Sequence, residues 1–153
     1  MPVVSREGME KDRGIVFYQL APSSFLMLRN VNEKPEYAGL IRYWVGQADK
    51  AMLVEPLSVV DKPKTPPSGD KHDYMSLSIY WWPNSLTGKP YILRDGQRNP
   101  EYLEYDLPRL ELMQRSVYNL AVAWWLTGNQ AYVEKAVSFL RTWFINPETR
   151  MNP

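Results

Sequence analysis

Apolar residues recur at helical spacing in three parts of the chain, and these parts predict its main helices. In the first part, 36–55, the apolar positions lie on one helical face; they are Tyr37, Leu40, Ile41, Trp44, Val45, Ala48 and Met52. Pro35 suits the first helical position. Pro56 disfavours helical geometry in the residue before it, so the helix should end near Glu55. Trp44 is expected in the core rather than as an exposed ring.

Two further apolar stripes predict a pair of helices at 108–127 and 130–145. The first stripe holds Leu110, Met113, Val117, Leu120, Ala121 and Trp124, and the second holds Val133, Ala136, Val137, Leu140, Trp143 and Phe144. Gly128 should adopt the left-handed conformation past a helix end, and Asn129 should cap the next helix. This short connection predicts an antiparallel helical hairpin. No strand alternation of useful length appears, so the predicted class is all-α with long ordered loops.

The stretches outside these helices are expected to be loops. Residues 1–34 form an N-terminal segment in which a short helix is predicted around Phe25 and Leu28. Residues 57–69 are rich in Pro and Lys; they are expected to be non-helical and to run extended across the surface. A flexible interdomain linker is the alternative, which is disfavoured because too few helices lie on each side for two domains. Residues 35–153 are therefore expected to form one domain.

The composition fits a folded domain without strong charge. Of the 153 residues, 44% are hydrophobic and 13% aromatic, which argues against disorder. A net charge of +1 favours neither nucleic acid nor an acidic membrane as a partner. No run of about 20 apolar residues predicts a membrane span, and residues 1–14 lack the apolar region of a signal peptide. With one His and no Cys, neither disulfides nor a metal site is expected.

The candidate chemistry is concentrated in residues 70–102, which Gly and Pro interrupt repeatedly. Exposing so many rings on a solvated linker would be unfavourable, and a core segment would not carry so many charges. The stretch therefore predicts an ordered loop that displays rings and charges over a surface. This composition is typical of a carbohydrate site, where sugar faces stack on rings and guanidinium groups bind carboxylates.

The same stretch resembles the alginate lyase family. The resemblance is carried by the motifs KHDYMSL and YWWP within 71–83, PYI and RDGQ within 90–97, NPE at 99–101, LTGN at 126–129 and WFINPETRMNP at 143–153. It covers roughly residues 35–153, with one departure at Ile79, where many relatives have a small residue or Pro. The resemblance implies a partial α/α toroid, that is, an incomplete ring of antiparallel helical hairpins with a substrate cleft at one end, belonging to a protein more than twice as long.

The resemblance also implies a function, namely a polysaccharide lyase that cleaves alginate or a related polyuronate by β-elimination. In this reaction the sugar carboxylate is neutralised, a base removes the C5 proton, and an acid protonates the leaving oxygen. The family's catalysis needs an Asn-Asn-His segment that this chain does not contain, so the chain alone is expected to be inactive. The implied partner is an acidic polysaccharide, no cofactor is implied, and the implied location is periplasmic or secreted.

Eight loop residues are the expected substrate contacts: His72, Tyr74, Tyr80, Trp81, Trp82, Arg94, Arg98 and Asn99. The histidine and the two tyrosines are also the candidates for a catalytic role. Adjacent side chains of an extended segment point to opposite sides, so one tryptophan should anchor the loop and the other should face the cleft. The dipeptide Asp95-Gly96 predicts a turn.

Structural alternatives exist for each of these contacts. The histidine could instead hold backbone through its ring nitrogens, the tyrosines could be half-buried rings with satisfied hydroxyls, and the arginines could pair with Asp95, Glu101 or Glu104. Two other functions stay open. One is a non-enzymic carbohydrate-binding helical module, and the other is a toroid glycoside hydrolase that uses two carboxylates, such as those of Asp73 and Asp95.

Overall fold

The computed structural model describes residues 34–153. The helices are α1 (Ala38–Met52), α2 (Leu107–Thr127) and α3 (Gln130–Phe144), and single 3-10 turns lie at Pro35–Tyr37, Val59–Asp61 and Pro100–Glu104. Two antiparallel two-residue strands, β1 (Trp81–Trp82) and β2 (Ile92–Leu93), form the sheet of this part of the chain. The helical class is confirmed. The helix predicted around Phe25 lies outside the described residues.

The core lies where α2 packs against both α1 and α3. Its buried residues are Ala48 and Ala51 of α1, Met113, Leu120, Ala123 and Trp124 of α2, Tyr132, Ala136, Phe139 and Trp143 of α3, and Val59. On α1, small alanines are buried while the larger Leu40 stays exposed, as does Tyr37 in the 3-10 turn before the helix. The predicted stripe on α1 is therefore only partly right.

The prediction that Trp44 belongs to the core is wrong. Its side chain is half-buried, and its ring meets those of Tyr43 and Tyr118 edge to face, at centroid distances of 5.3 and 5.6 Å. Edge-to-face contacts of this kind stabilise aromatic pairs without full burial. The ring therefore covers the rim of the α1–α2 contact.

The connection between α2 and α3 is the predicted hairpin turn. Gly128 has a φ of +74°, and its N–H donates to the carbonyl of Trp124 at 2.7 Å. The side chain of Asn129 accepts the N–H of Ala131 at 3.1 Å and so caps α3. These two local bonds satisfy groups that a helix end otherwise leaves unpaired, and the core residues Leu120 and Ala136 can then meet across the hairpin.

The prediction of an extended surface run over 57–69 is wrong in its first half. Ser58 and Asp61 form a capping box around the turn Val59–Asp61, in which the Ser58 N–H donates to the Asp61 carboxylate at 2.6 Å. Ser58, Val59 and Lys62 are all buried. The cause is the side chain of Lys62, which enters the protein to meet a carboxylate far along the chain.

Within residues 34–153 no helix has the length and apolar character needed to cross a membrane. The described part also contains no cluster of three or more His, Cys, Asp or Glu side chains placed to hold a metal ion.

Candidate functional site

A buried ion pair lies beneath the first part of the candidate loop. The Lys62 ammonium is 3.1 Å from the Asp106 carboxylate, and neither side chain has any solvent exposure. The ammonium also donates to the carbonyls of Val59 and Lys71, at 2.7 and 2.8 Å. The same carboxylate oxygen accepts the N–H of Met75 at 2.7 Å, so this ion pair contacts the loop at two backbone positions.

The C-terminal residues bind the same part of the loop from another side. The side-chain amide of Asn152 donates to Asp73 at 2.7 Å and to Asp70 at 3.1 Å, and its backbone N–H donates to the carbonyl of His72 at 3.0 Å. The Ser68 hydroxyl and the Asn152 amide lower the pKa of Asp73. Residues 70–73 are therefore joined to the last residues of the chain by several polar contacts.

His72 occupies the middle of this arrangement with its ring half-buried. Its Nδ1 lies 2.6 Å from the carbonyl oxygen of Arg150. Because a carbonyl only accepts hydrogen bonds, Nδ1 must carry the proton of this contact. The neutral ring then has its lone pair on Nε2, which is the atom that a proton-transfer role would use. The ring also binds the backbone at Arg150, which is the structural role that the sequence analysis considered for His72.

The two tryptophans of β1 differ in the way that alternation predicts. The indole N–H of Trp82 donates to the carbonyl of Gln97 at 2.8 Å, and the Arg94 guanidinium lies 5.3 Å from its ring centroid. Trp81 is 42% exposed. Trp82 therefore anchors the loop, while Trp81 presents apolar ring surface to solvent.

The turn predicted at Asp95-Gly96 is confirmed. The N–H of Gln97 donates to the carbonyl of Arg94 at 3.2 Å, and Gly96 has a φ of +69°, which favours glycine. The turn brings Gln97 back to the indole of Trp82 and leaves Arg98 exposed.

Arg94 and Arg98 do not form the ion pairs with Asp95, Glu101 or Glu104 that the sequence analysis considered as a structural role for them. Within residues 34–153 neither Arg94 nor Arg98 takes part in a salt bridge. Lys64 instead pairs with Glu101 at 3.2 Å and with Glu104 at 3.0 Å. These hydrogen-bonded carboxylates, Glu104 first and Glu101 second, raise the pKa of Lys64. The glutamates nearest in sequence to the arginines thus pair with another cation, which they share.

Asn99 is placed differently from the other predicted contacts. It is 2% exposed. Its side-chain N–H donates to the carbonyl of Trp81 at 2.7 Å, and its side-chain oxygen accepts the N–H of Glu101 at 3.0 Å. Both ends of the amide are thus used inside the chain, where they join β1 to the turn Pro100–Glu104.

The two candidate tyrosines lie at the surface of the loop. Tyr74 is 36% exposed, and the burial of the rest of its surface raises the pKa of its phenol. The phenol of a tyrosine is protonated at neutral pH in any case, and the raised pKa makes its ionisation harder still, so the hydroxyl can donate a hydrogen bond there. Tyr80 is half-buried, and its backbone carbonyl accepts the N–H of Arg94 at 2.9 Å.

The sequence reasoning missed the residues that hold the loop in place. Lys62 and Asp106 carry no motif of their own, and a lysine in a Pro-rich stretch is usually a solvated side chain. Asn152 was noticed only as part of the WFINPETRMNP motif. The sequence thus contained a signal for Asn152 alone, and that signal did not show that its side chain binds the loop.

The comparisons with known proteins agree with this geometry. A family model described as alginate lyase matches residues 58–153. The chain belongs to the alginate lyase family. The matched stretch begins at Ser58 of the capping box and includes the buried ion pair and every candidate residue of the loop.

A solved structure of an alginate lyase has a similar fold. The crystal structure of an alginate lyase from Bacteroides ovatus is 42% identical to this chain, with a TM-score of 0.82. The match covers 87% of this chain and 36% of that one, so the chain spans about a third of that alginate lyase's length. A comparison with curated proteins found no match.

Proposed function

We propose that this chain is the N-terminal part of a longer polysaccharide lyase that cleaves alginate or a related polyuronate by β-elimination. Family membership supports the reaction class. The observation that carries the substrate class is the state of the arginines, since Arg94 and Arg98 have no acidic partner among residues 34–153 while Glu101 and Glu104 pair with Lys64. Guanidinium groups without an acidic partner, together with the exposed ring of Trp81 in the same loop, suit a sugar that carries a carboxylate.

The loop contributes substrate binding and part of the proton chemistry in this proposal. Arg94 and Arg98 bind uronate carboxylates, which withdraws charge and makes the C5 proton more acidic. Trp81 stacks on a sugar face. His72, with its Nε2 unprotonated in the neutral ring, and Tyr74, with its protonated phenol, are the base and acid candidates within this chain. Asn99 positions β1 rather than touching the substrate.

The architecture proposed for the longer protein is an α/α toroid, with residues 1–34 as an N-terminal segment and residues 35–153 as the first part of the ring. Support comes from the hairpin of α2 and α3, which leaves apolar side chains such as Leu140 and Phe144 exposed on α3. A helical hairpin with such a face is stabilised by further helices. A periplasmic or secreted location fits a polymeric substrate of this kind.

The decisive experiment measures the product that the longer protein forms from alginate. β-Elimination creates a C=C bond that absorbs near-UV light, whereas hydrolysis creates reducing ends without that absorbance. The control substrate is alginate with esterified carboxylates, which offers no anion to the arginines. We expect unsaturated product from native alginate only. Reducing ends without absorbance would identify a hydrolase, and binding without any product would identify a carbohydrate-binding module; either result would refute the proposed lyase.

A further inference from the structure

The five residues 71–75 include His72 and Tyr74 and are held at both ends by one buried ion pair. At one end the Lys62 ammonium donates to the carbonyl of Lys71 at 2.8 Å. At the other end the Asp106 carboxylate accepts the N–H of Met75 at 2.7 Å, and the Asp106 N–H donates to the carbonyl of Met75 at 3.0 Å. The two candidate side chains project from the backbone between these two anchors.

We propose that Lys62 and Asp106 are positioning residues that hold His72 and Tyr74 in the geometry used to bind substrate. The consequence for alginate rests on the function proposed above, whereas the effect on the loop does not. We refer to the ion pair and its bonds to Lys71 and Met75 as the loop clamp.

The hydrogen bonds of the ion pair are directed at the loop. An ammonium has three donors, and Lys62 uses them on the carbonyl of Val59, the carbonyl of Lys71 and the carboxylate of Asp106. The Oδ2 atom of Asp106 serves both Lys62 and Met75, while its Oδ1 atom is buried without a hydrogen bond. The carboxylate of Asp106 is thus oriented so that Oδ2 bonds the loop and Lys62, although this orientation leaves Oδ1 without a hydrogen bond.

Stability alone does not account for such a pair. Desolvating two charges is so costly that apolar side chains of similar volume often stabilise a core equally well or better. Apolar side chains, however, could not bind the carbonyl of Lys71 or the N–H of Met75. What the ion pair specifically supplies is a fixed backbone on both sides of His72.

A third contact makes the orientation of His72 depend on this backbone. The carbonyl of His72 accepts the N–H of Asn152, and its Nδ1 contacts the carbonyl of Arg150. The ring keeps one tautomer only while residues 71–75 stay in register with the C-terminal residues. Loosening the loop clamp should therefore release the ring as well as the backbone.

The test replaces the clamp without emptying the core. In the double variant Lys62→Met/Asp106→Leu, apolar side chains fill the space of the ion pair, and Asp106→Asn removes the charge alone. Lys50→Met is the matched control, because Lys50 is an exposed lysine in the last turn of α1, outside the clamp and the candidate loop. Three quantities are measured on the 153-residue chain: amide hydrogen exchange at Met75 relative to Leu120, the imidazole ¹⁵N shifts of the sole histidine, and the affinity for an alginate oligosaccharide.

We expect exchange at Met75 to rise about tenfold or more in both clamp variants while Leu120 in the core is unchanged, because only local opening is affected. The His72 signal should change from the Nδ1–H tautomer to a mixture, and oligosaccharide affinity should fall, whereas Lys50→Met should be unchanged in all three measurements. Folded variants with wild-type exchange at Met75 and a wild-type His72 signal would overturn the proposal. So would the unfolding of both variants, which would make the pair a stability element.

The affinity measurement separates this proposal from the proposed function. If the wild-type chain does not bind alginate oligosaccharide, the substrate assignment fails while exchange and ¹⁵N shifts still decide whether the clamp exists. If the wild type binds and both clamp variants bind equally well, Lys62 and Asp106 do not position the binding residues, and the proposal is wrong.

Discussion

Arg94 and Arg98 lie close together in sequence but have different contacts, and this difference can be measured. The Arg94 guanidinium lies over the ring of Trp82, whereas Arg98 is exposed. In the longer lyase, replacing either by Ala should raise KM for alginate. Loss of one charge-assisted contact costs roughly 1.5–3 kcal/mol, or about one to two decades in kcat/KM. Arg115→Ala, an exposed arginine on α2, is the control and should leave KM unchanged.

Thermal melting distinguishes the roles of these two arginines. Arg94→Ala also loses the contact with Trp82, which is worth about 0.5–1 kcal/mol at an exposed site, so its Tm should fall slightly. Arg98→Ala should keep the wild-type Tm. Unchanged KM in both variants together with a lowered Tm would make the arginines structural, and the carboxylate-binding role would be lost.

Asp73 gives the loop a dependence on pH. The hydroxyl of Ser68 and the amide of Asn152 lower the pKa of its carboxyl in the folded protein. A group whose pKa is lowered by folding stabilises the fold above its unfolded pKa, and this contribution disappears as the pH falls through the folded pKa. The Tm difference between wild type and Asp73→Asn should therefore be largest near neutral pH and should narrow below about pH 4, the ordinary range of an aspartate.

The partner of Asp73 provides the check on that prediction. In an Asn152→Ala background one of the two donors is gone, so Asp73→Asn should have a smaller effect on Tm at neutral pH. Melting curves at several pH values for the four proteins test both statements. An Asp73→Asn effect that is independent of pH would contradict the proposed linkage.

At the scale of the helices, two glycines are expected to respond oppositely to the same substitution. Gly128 ends α2 with a φ of +74°, so Gly128→Ala forces an L-residue into the left-handed region at a cost of about 1–2 kcal/mol. Gly46 lies inside α1, where an added Cβ meets no atom within 4 Å. Gly46→Ala should stabilise the protein by about 0.5–1 kcal/mol. Urea unfolding measures both; a destabilising Gly46→Ala or a neutral Gly128→Ala would contradict this account.

The elements that the sequence predicted well are those decided by local chemistry. The bounds of α2 and α3 follow from long apolar repeats, and the glycine and asparagine between them act through bonds to residues only a few positions away. The predicted end of α1 near Glu55 was slightly late, because the helix ends at Met52. The opposite orientation of Trp81 and Trp82 was also predictable, since it depends only on extended backbone.

The parts that the sequence did not predict depend on distant partners. Burial of Lys62 requires the carboxylate of Asp106, and the fixed ring of His72 requires the carbonyl of Arg150. Composition showed that residues 70–102 carry rings and charges, but it did not show that Asn99 is buried while Trp81 is exposed. Long-range pairing decides these roles, and no local pattern in the chain encodes it.

At the scale of the whole molecule, the described part combines a helical core with a loop that is fixed by polar contacts to distant parts of the chain as well as by local turns. The ion pair of Lys62 and Asp106 binds the loop backbone at Lys71 and Met75. Asn152 binds the side chain of Asp73, and Asn99 binds the carbonyl of Trp81 in β1. A binding surface built in this way is pre-organised, which reduces the ordering cost of binding a flexible polysaccharide. Pre-organised binding does not by itself supply a complete set of proton-transfer groups.

The last prediction follows from that distinction. The purified 153-residue chain should bind alginate oligosaccharide yet form unsaturated product far more slowly than the longer lyase. General acid–base catalysis contributes about 10²–10⁴-fold, and the Asn-Asn-His segment that the resemblance implies for catalysis does not occur among these 153 residues, whose only histidine is His72. Near-UV absorbance, followed under identical conditions for the chain and for the longer protein, gives the comparison. Product formation by the chain at a comparable rate would contradict the prediction and would assign the chemistry to His72, Tyr74 and Tyr80, which His72→Ala and Tyr74→Phe would then test directly.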